Sequence, residues 1–354
     1  MKKKGVSTLK IAATYIGTVV GAGFATGQEI LQFFARFGVP GLLGIFLAAA
    51  LFVFFGYMVM ALGRQLHARS HLEVIRYTSG RISGRITDIL ITFFLFGSFA
   101  TMVAGTGALF QQQLGLPNMM GNLLMGILTA ITVLTGVEGV INSISFVVPF
   151  LLISVICIST HSILNTPPNF SAAVYMVQNR LIANWFLSAI LYVSYNTMLS
   201  ISVLAALGTN ARNQKALKNG AILGGAGLGL ASALIFLALC GNMSGISNLE
   251  IPMVYIAGGI SPLAQILYAM VLIAEIYTTA VGSLFGFVSR IAAVKQRPLQ
   301  GRIVVIGSTI VALLASQFGF SNMVKYFFPL EGLCGMFLLF SLTRASLKQR
   351  RLHL

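Results

Sequence analysis

Two stretches of the sequence carry residue types that could do chemistry. The first is Gly17-Thr18-Val19-Val20-Gly21-Ala22-Gly23-Phe24-Ala25-Thr26-Gly27-Gln28-Glu29. Its glycines, at 17, 21, 23 and 27, each weaken a helix by up to about 1 kcal/mol relative to alanine, so a break is expected near its middle. Backbone that leaves the helix inside a membrane survives only where it lines a cavity, and freed amides at the start of a half-helix attract anions. The competing explanation is close helix packing through small residues. The second stretch is Tyr192-Val193-Ser194-Tyr195-Asn196-Thr197, polar and aromatic within an apolar run. It fits a binding wall, with aromatic faces for an apolar body and Asn196 for hydrogen bonds, or simple bonding between helices.

The acids are scarce, seven among 354 residues, which makes each informative. Glu275 falls deep in an apolar run, where a charged and isolated carboxylate costs several kcal/mol, so it is expected to be protonated, paired or ion-bound. Glu29, eight residues past Gly21, is a candidate for gating, for carrying a proton, or for pairing with Arg36. Glu331 is expected to pair with Lys325, and Glu138 to sit in a solvated turn. His67 and His71 have the i, i+4 spacing of a helical metal pair with Glu73 nearby, but the sequence offers no third ligand, so no metal site is expected. Cys157, Cys240 and Cys334 all lie in apolar runs and read as small core residues. No phosphate loop, dinucleotide fingerprint or nucleophile with a base is present, and an enzyme is not expected.

These residues must be positioned by membrane helices. The chain is 57% hydrophobic and 8% charged, with 23 basic against 7 acidic residues and a mean hydropathy of +0.90. A soluble domain carries about a quarter charged residues, and a nucleic-acid binder needs a polar basic face; neither fits. Ten apolar runs approach the roughly 20 residues of a spanning helix: Leu9–Phe34, Val39–Leu62, Ile89–Leu114, Met119–Thr135, Val140–Ile163, Leu181–Leu207, Ala221–Met243, Leu263–Ile291, Ile303–Phe318 and Met323–Leu342. With both ends on one side, every lysine and arginine except Arg36, Arg180 and Lys325 falls on that side, which places both termini in the cytoplasm. The basic segments Arg64 to Arg85 and Arg344 to Arg351 read as a loop and a tail against anionic headgroups. A cleaved signal peptide is not expected, because Gln28 and Glu29 are followed by more apolar sequence.

Five spans per half would place two related halves, 1–175 and 176–354, in opposite orientations within one transmembrane domain. Gly107-Ala108-Leu109-Phe110 and Gly282-Ser283-Leu284-Phe285 match at an offset of 175, and the same offset sets Gly21 opposite Asn196.

The run Gly17 to Phe24 resembles the unwound first helix of LeuT-fold transporters in the amino acid, polyamine and organocation superfamily. With Gly27-Gln28-Glu29, the chain is most similar to the YkvI group of amino-acid permeases of the bacterial inner membrane. The resemblance implies an all-α polytopic protein of ten helices, a five-plus-five inverted repeat with helices 1 and 6 broken. It further implies alternating-access transport of an amino acid or similar zwitterion, coupled to Na+ or H+, without other cofactors. The substrate carboxylate would meet the amides of Gly21, Ala22 and Gly23, with Phe24, Tyr192, Ser194, Tyr195 and Asn196 around it. A sodium ion would take carbonyls of Gly17, Val20 and Glu275 and hydroxyls of Thr278 and Thr279, hard ligands on one helical face. An acid at position 275 departs from that pattern and keeps a proton as the alternative coupling ion. The lysine that replaces sodium in proton-driven relatives has no counterpart in Val140 to Ile163. A receptor that binds the ligand without carrying it is the alternative function. Partners beyond substrate and lipid are not implied.

Overall fold

The computed structural model describes residues 5–68, 71–135, 140–171, 182–291 and 298–352. Lys2, Lys3, Lys4, Arg69, Glu138, Arg180, Lys295, Arg297, the start of the expected sixth span at Leu181 and the boundary at 175 lie outside the described residues.

The first apolar run folds as three short helices, α1 (Thr8–Val19), α2 (Ala22–Thr26) and α3 (Gln28–Phe33). Then follow α4 (Val39–Gln65), α5 (His71–Leu114), α6 (Asn118–Thr135), α7 (Val140–Asn165), α8 (Trp185–Asn210) and α9 (Gln214–Gly241). Two short helices, α10 (Met243–Ile246) and α11 (Pro252–Gly258), precede α12 (Pro262–Ile291), α13 (Pro298–Ala315) and α14 (Phe328–Leu352). Among the described residues, eight helices are long and apolar enough to cross a membrane. Large apolar side chains on them, such as Leu43, Phe46, Ile266 and Phe340, face outward. In water that would be untenable; against lipid it costs nothing.

Lipid gives no hydrophobic force between helices, so close contact has to come from small residues and hydrogen bonds. A Cβ on Gly208 of α8 would strike the Met60 carbonyl of α4, with the Met60 carbonyl carbon and Cα at 2.7 and 2.9 Å. One turn away on the same seam, a Cβ on Gly63 would strike the Ala205 carbonyl. Tyr15 of α1 is seated between Gly56 of α4 and Gly224 of α9, and its hydroxyl donates to the Phe52 carbonyl at 2.7 Å. Because Gly208 abuts backbone, no side chain can yield to a larger residue. Gly208→Val is expected to destabilise the bundle by about 2–3 kcal/mol, read as loss of the monodisperse peak in detergent size-exclusion chromatography; an unaltered profile would refute that packing.

Three expectations are corrected. The sixth span, α8, is one continuous helix rather than a broken one. It has no glycine or proline before Gly208, so nothing interrupts its ladder, and Asn184 caps its first turn by accepting from the Leu187 amide at 2.8 Å. The Arg64–Arg85 segment is not a loop. From His71 it is helical, bent at Gly80 (φ 79), with Val74 and Ile75 buried and Arg76, Arg81 and Arg85 exposed. The two-sided pattern makes it an amphipathic extension of α5. Cys240 is buried, but Cys157 faces outward and Cys334 is half-buried. The tenth run is found as a span, and its start, Met323–Phe327, is a π-helical turn leading into α14.

Candidate functional site

The break in the first run falls at Val20 and Gly21, both extended (ψ 116 and −172). The last backbone bond of α1 runs from the Val20 amide to Ile16 at 2.8 Å. Among the described residues, the carbonyls of Gly17 and Val20 accept no backbone amide. A second interruption follows at Gly27, whose φ of 83 favours glycine. A Cβ there would also lie 2.8 Å from Cγ of Met253.

The break opens on a cavity of about 680 Å³. Gly17 through Gly23 form one wall; Tyr195, Asn196 and Leu199 of α8 and Glu275, Thr278, Thr279 and Ser283 of α12 form two others. Ser98 and Met102 of α5, Phe328 of α14 and Glu29 complete it. Ser98 and Ser283 share a hydrogen bond of 3.1 Å. From the break the cavity runs toward His71, Ser289 and Arg290, at the arginine-rich ends of α5 and α12. There His71 bonds Asp88 at 3.0 Å and Ser202 at 3.1 Å, and Nη2 of Arg290 lies 2.7 Å from its Nε2.

The other end is closed. Gln28 donates to the Leu249 carbonyl at 2.7 Å and Ser321 at 3.3 Å, and Tyr268 donates to the Ala25 carbonyl at 2.5 Å. Phe33 and Phe34 pack on Tyr192, and Gln112 holds Ile251 through both its backbone amide and carbonyl, at 3.0 and 2.9 Å.

Of the expected substrate residues, Gly21, Ala22, Gly23, Tyr195 and Asn196 line the cavity. Phe24, Tyr192 and Ser194 are buried and do not. Tyr192 is packed among Phe33, Phe34 and Phe52, while Ser194 donates to the Gly332 carbonyl at 2.8 Å. All five expected ion ligands, Gly17, Val20, Glu275, Thr278 and Thr279, line the cavity, and Thr278 donates to the Glu275 carbonyl at 3.0 Å.

Glu29 is not paired with Arg36. It folds back along α2, where a Cβ on Gly23 would meet its Oε1, with Cγ and Cδ at 2.7 and 2.8 Å. Its Oε2 accepts from the Tyr195 hydroxyl, and the Phe24 amide is directed at the same carboxyl. Arg36 instead donates to the Ile182 carbonyl at 2.5 Å and lies 4.3 Å over the Phe37 ring. Glu331 is fully buried with neither oxygen hydrogen-bonded among the described residues, so its expected pairing with Lys325 does not form. His67, exposed with a positive φ of 48, follows α4 while His71 opens α5, so the i, i+4 pair is not on one helix.

The helix order and the broken first segment define a membrane protein of the LeuT-like fold. Mhp1, a nucleobase-cation-symport-1 family transporter with bromovinylhydantoin bound, superposes with a TM-score of 0.66 at 16% identity, covering 93% of this chain and 75% of its own. MhsT in complex with L-phenylalanine gives 0.64 at 15%, covering 95% and 89%. A Na+-coupled sialic acid symporter gives 0.63 at 15%, covering 94% and 79%. No family model matches the chain. Over 333 residues, 94% of each chain, it is 31% identical to the uncharacterized membrane protein YkvI of Bacillus subtilis. The chain belongs to the YkvI family of membrane proteins.

Proposed function

We propose that this protein is a secondary active transporter that carries a small amine-bearing solute by alternating access. An amino acid or similar zwitterion is what its resemblance implies. The observation that carries the reading is the Val20–Gly21 break opening directly onto a cavity walled by α8 and α12. Interrupted helices at a midplane site are the means by which such folds present backbone groups to solute and ion. The first run, α7 and the eight long helices make ten spans in two inverted halves, with the basic ends cytoplasmic by the charge rule. In that orientation the cavity runs toward the cytoplasm. Coupling is to Na+ at Gly17, Val20, Glu275, Thr278 and Thr279, or to H+ on Glu275 or Glu29.

The test is accumulation of labelled solute in proteoliposomes under imposed Na+ and pH gradients. Accumulation that collapses with one gradient is expected. Binding without accumulation under any gradient would replace the transporter with a receptor of the same fold.

A further inference from the structure

The cavity contains acid at its closed end and base only at its mouth. Glu29 and Glu275 are 4% and 1% exposed, both line the cavity, and Oε2 of Glu275 has no hydrogen-bond partner among the described residues. Glu331, behind Glu29 and close enough to feel its charge, adds a third buried carboxyl. The cation lining the same space, Arg290, cannot answer them. Arg290 lies 15 residues beyond Glu275 on α12, about 22 Å along the helix axis, and is engaged with His71.

A substrate carboxylate would therefore enter a space lined by carboxyls, with the one arginine of its lining far from the break. The amides of α2 where it would rest are faced by the chain's own carboxyl, since Glu29 lies on Gly23 and the Phe24 amide points at it. Beside that carboxyl are aromatic faces: Tyr195, whose hydroxyl donates to Glu29, stacks with Phe328 at 5.1 Å between centroids, and both line the cavity. A buried carboxyl with no cation beside it, next to ring faces, is complementary to an ammonium group, which gains from the carboxyl and from the ring quadrupoles together. Leu95, Met102 and Leu199 supply apolar wall for a hydrocarbon body.

Resting on the transporter reading above and narrowing its substrate, we propose that the solute is an organic cation without a carboxylate. It is an amine with an apolar body, its ammonium held at Glu29 beneath Tyr195 and Phe328 and Glu275 supplying a second carboxyl from α12.

Binding to the purified full-length chain in detergent, by thermal shift and calorimetry, tests this without requiring transport. Matched probes are phenethylamine, phenylalanine and 3-phenylpropanoate, then 3-methylbutylamine, leucine and 4-methylpentanoate, with a series from methylamine to spermine. At least one amine is expected to bind tenfold or more tighter than its amino acid, and the acids are expected not to bind. Phenethylamine is expected to exceed the neutral 2-phenylethanol by tenfold or more, a ratio that falls to near one in Glu29→Gln, which keeps the side-chain volume and an acceptor for Tyr195. Tighter binding of an amino acid or acid than of its amine, or failure of every amine in the panel, overturns the proposal. Should Glu29→Gln not fold, the wild-type series decides alone. Amine binding without vesicle accumulation would sink the transporter reading and leave this one standing. Accumulation of a zwitterion without amine binding would do the reverse.

Discussion

Gly21→Leu is expected to abolish uptake while leaving insertion and expression intact. The Gly21 backbone is extended, with φ −127 and ψ −172, a conformation open to any residue. A Cβ there finds only Cγ2 and Oγ1 of Thr279, both at 4.0 Å. Alanine should therefore be tolerated. Leucine, three carbons longer, projects into the cavity between the break and α12 and takes the volume the solute and ion need. Overpacking of about 3 kcal/mol corresponds to a loss of at least about 100-fold in uptake. The pair of variants separates site from scaffold: Gly21→Ala near wild type and Gly21→Leu inactive, both with a normal size-exclusion profile. Retained uptake in the leucine variant at normal expression would dismiss the break as the binding site.

The second large effect is expected from Thr278→Val combined with Thr279→Val. Valine keeps the shape of threonine and removes the hydroxyl. Thr278 bonds the Glu275 carbonyl, Thr279 stands opposite Gly21, and the carbonyls of Gly17 and Val20 accept no backbone amide among the described residues. A hard cation would draw on these oxygens together, so removing two of its ligands should raise the half-saturating Na+ concentration by at least about tenfold, equivalent to 1.4 kcal/mol. Sodium titration of uptake reads this directly. Unchanged dependence would discard the ion site, and reliance on a pH gradient alone would move the coupling to Glu275.

Most helices were legible because their cause is local: apolar runs of spanning length, ended by glycine, proline or charge. The break at Gly21 was legible for the same reason, since glycine density is a property of the chain itself. The polar cluster at 192–197 was misleading, because polarity in a membrane helix signals partners, not a rupture. Ser194 found the Gly332 carbonyl and Asn196 the Tyr192 carbonyl without disturbing α8. The pairing of Glu29 with Arg36 did not form because the direction of the carboxyl depends on the backbone at Gly27. The left-handed Gly27 turns α3 so that the carboxyl points back along α2, and four glycines in sequence do not say which one takes φ 83. Ser98, Met102 and Phe328 joined the cavity through packing of α5 and α14. The only sequence signal for any of them was the Ser98 hydroxyl, one of four in its span with Thr92, Thr101 and Thr106.

The shortest of these elements has a mechanical consequence. α3, six residues long, and the short 3-10 turn Ala35–Phe37 that follows it are set between two positive-φ glycines, Gly27 and Gly38, whose backbones can swivel where others would strain. On α3, Gln28 latches the Leu249 carbonyl at the sealed end, and its neighbour Glu29 faces the cavity. Successive helical residues project about 100° apart, so one rod touches the seal with one side and the cavity with another. It cannot turn on its pivots without moving both, so any turn that shifts Glu29 also pulls on the Gln28 latch one peptide bond away.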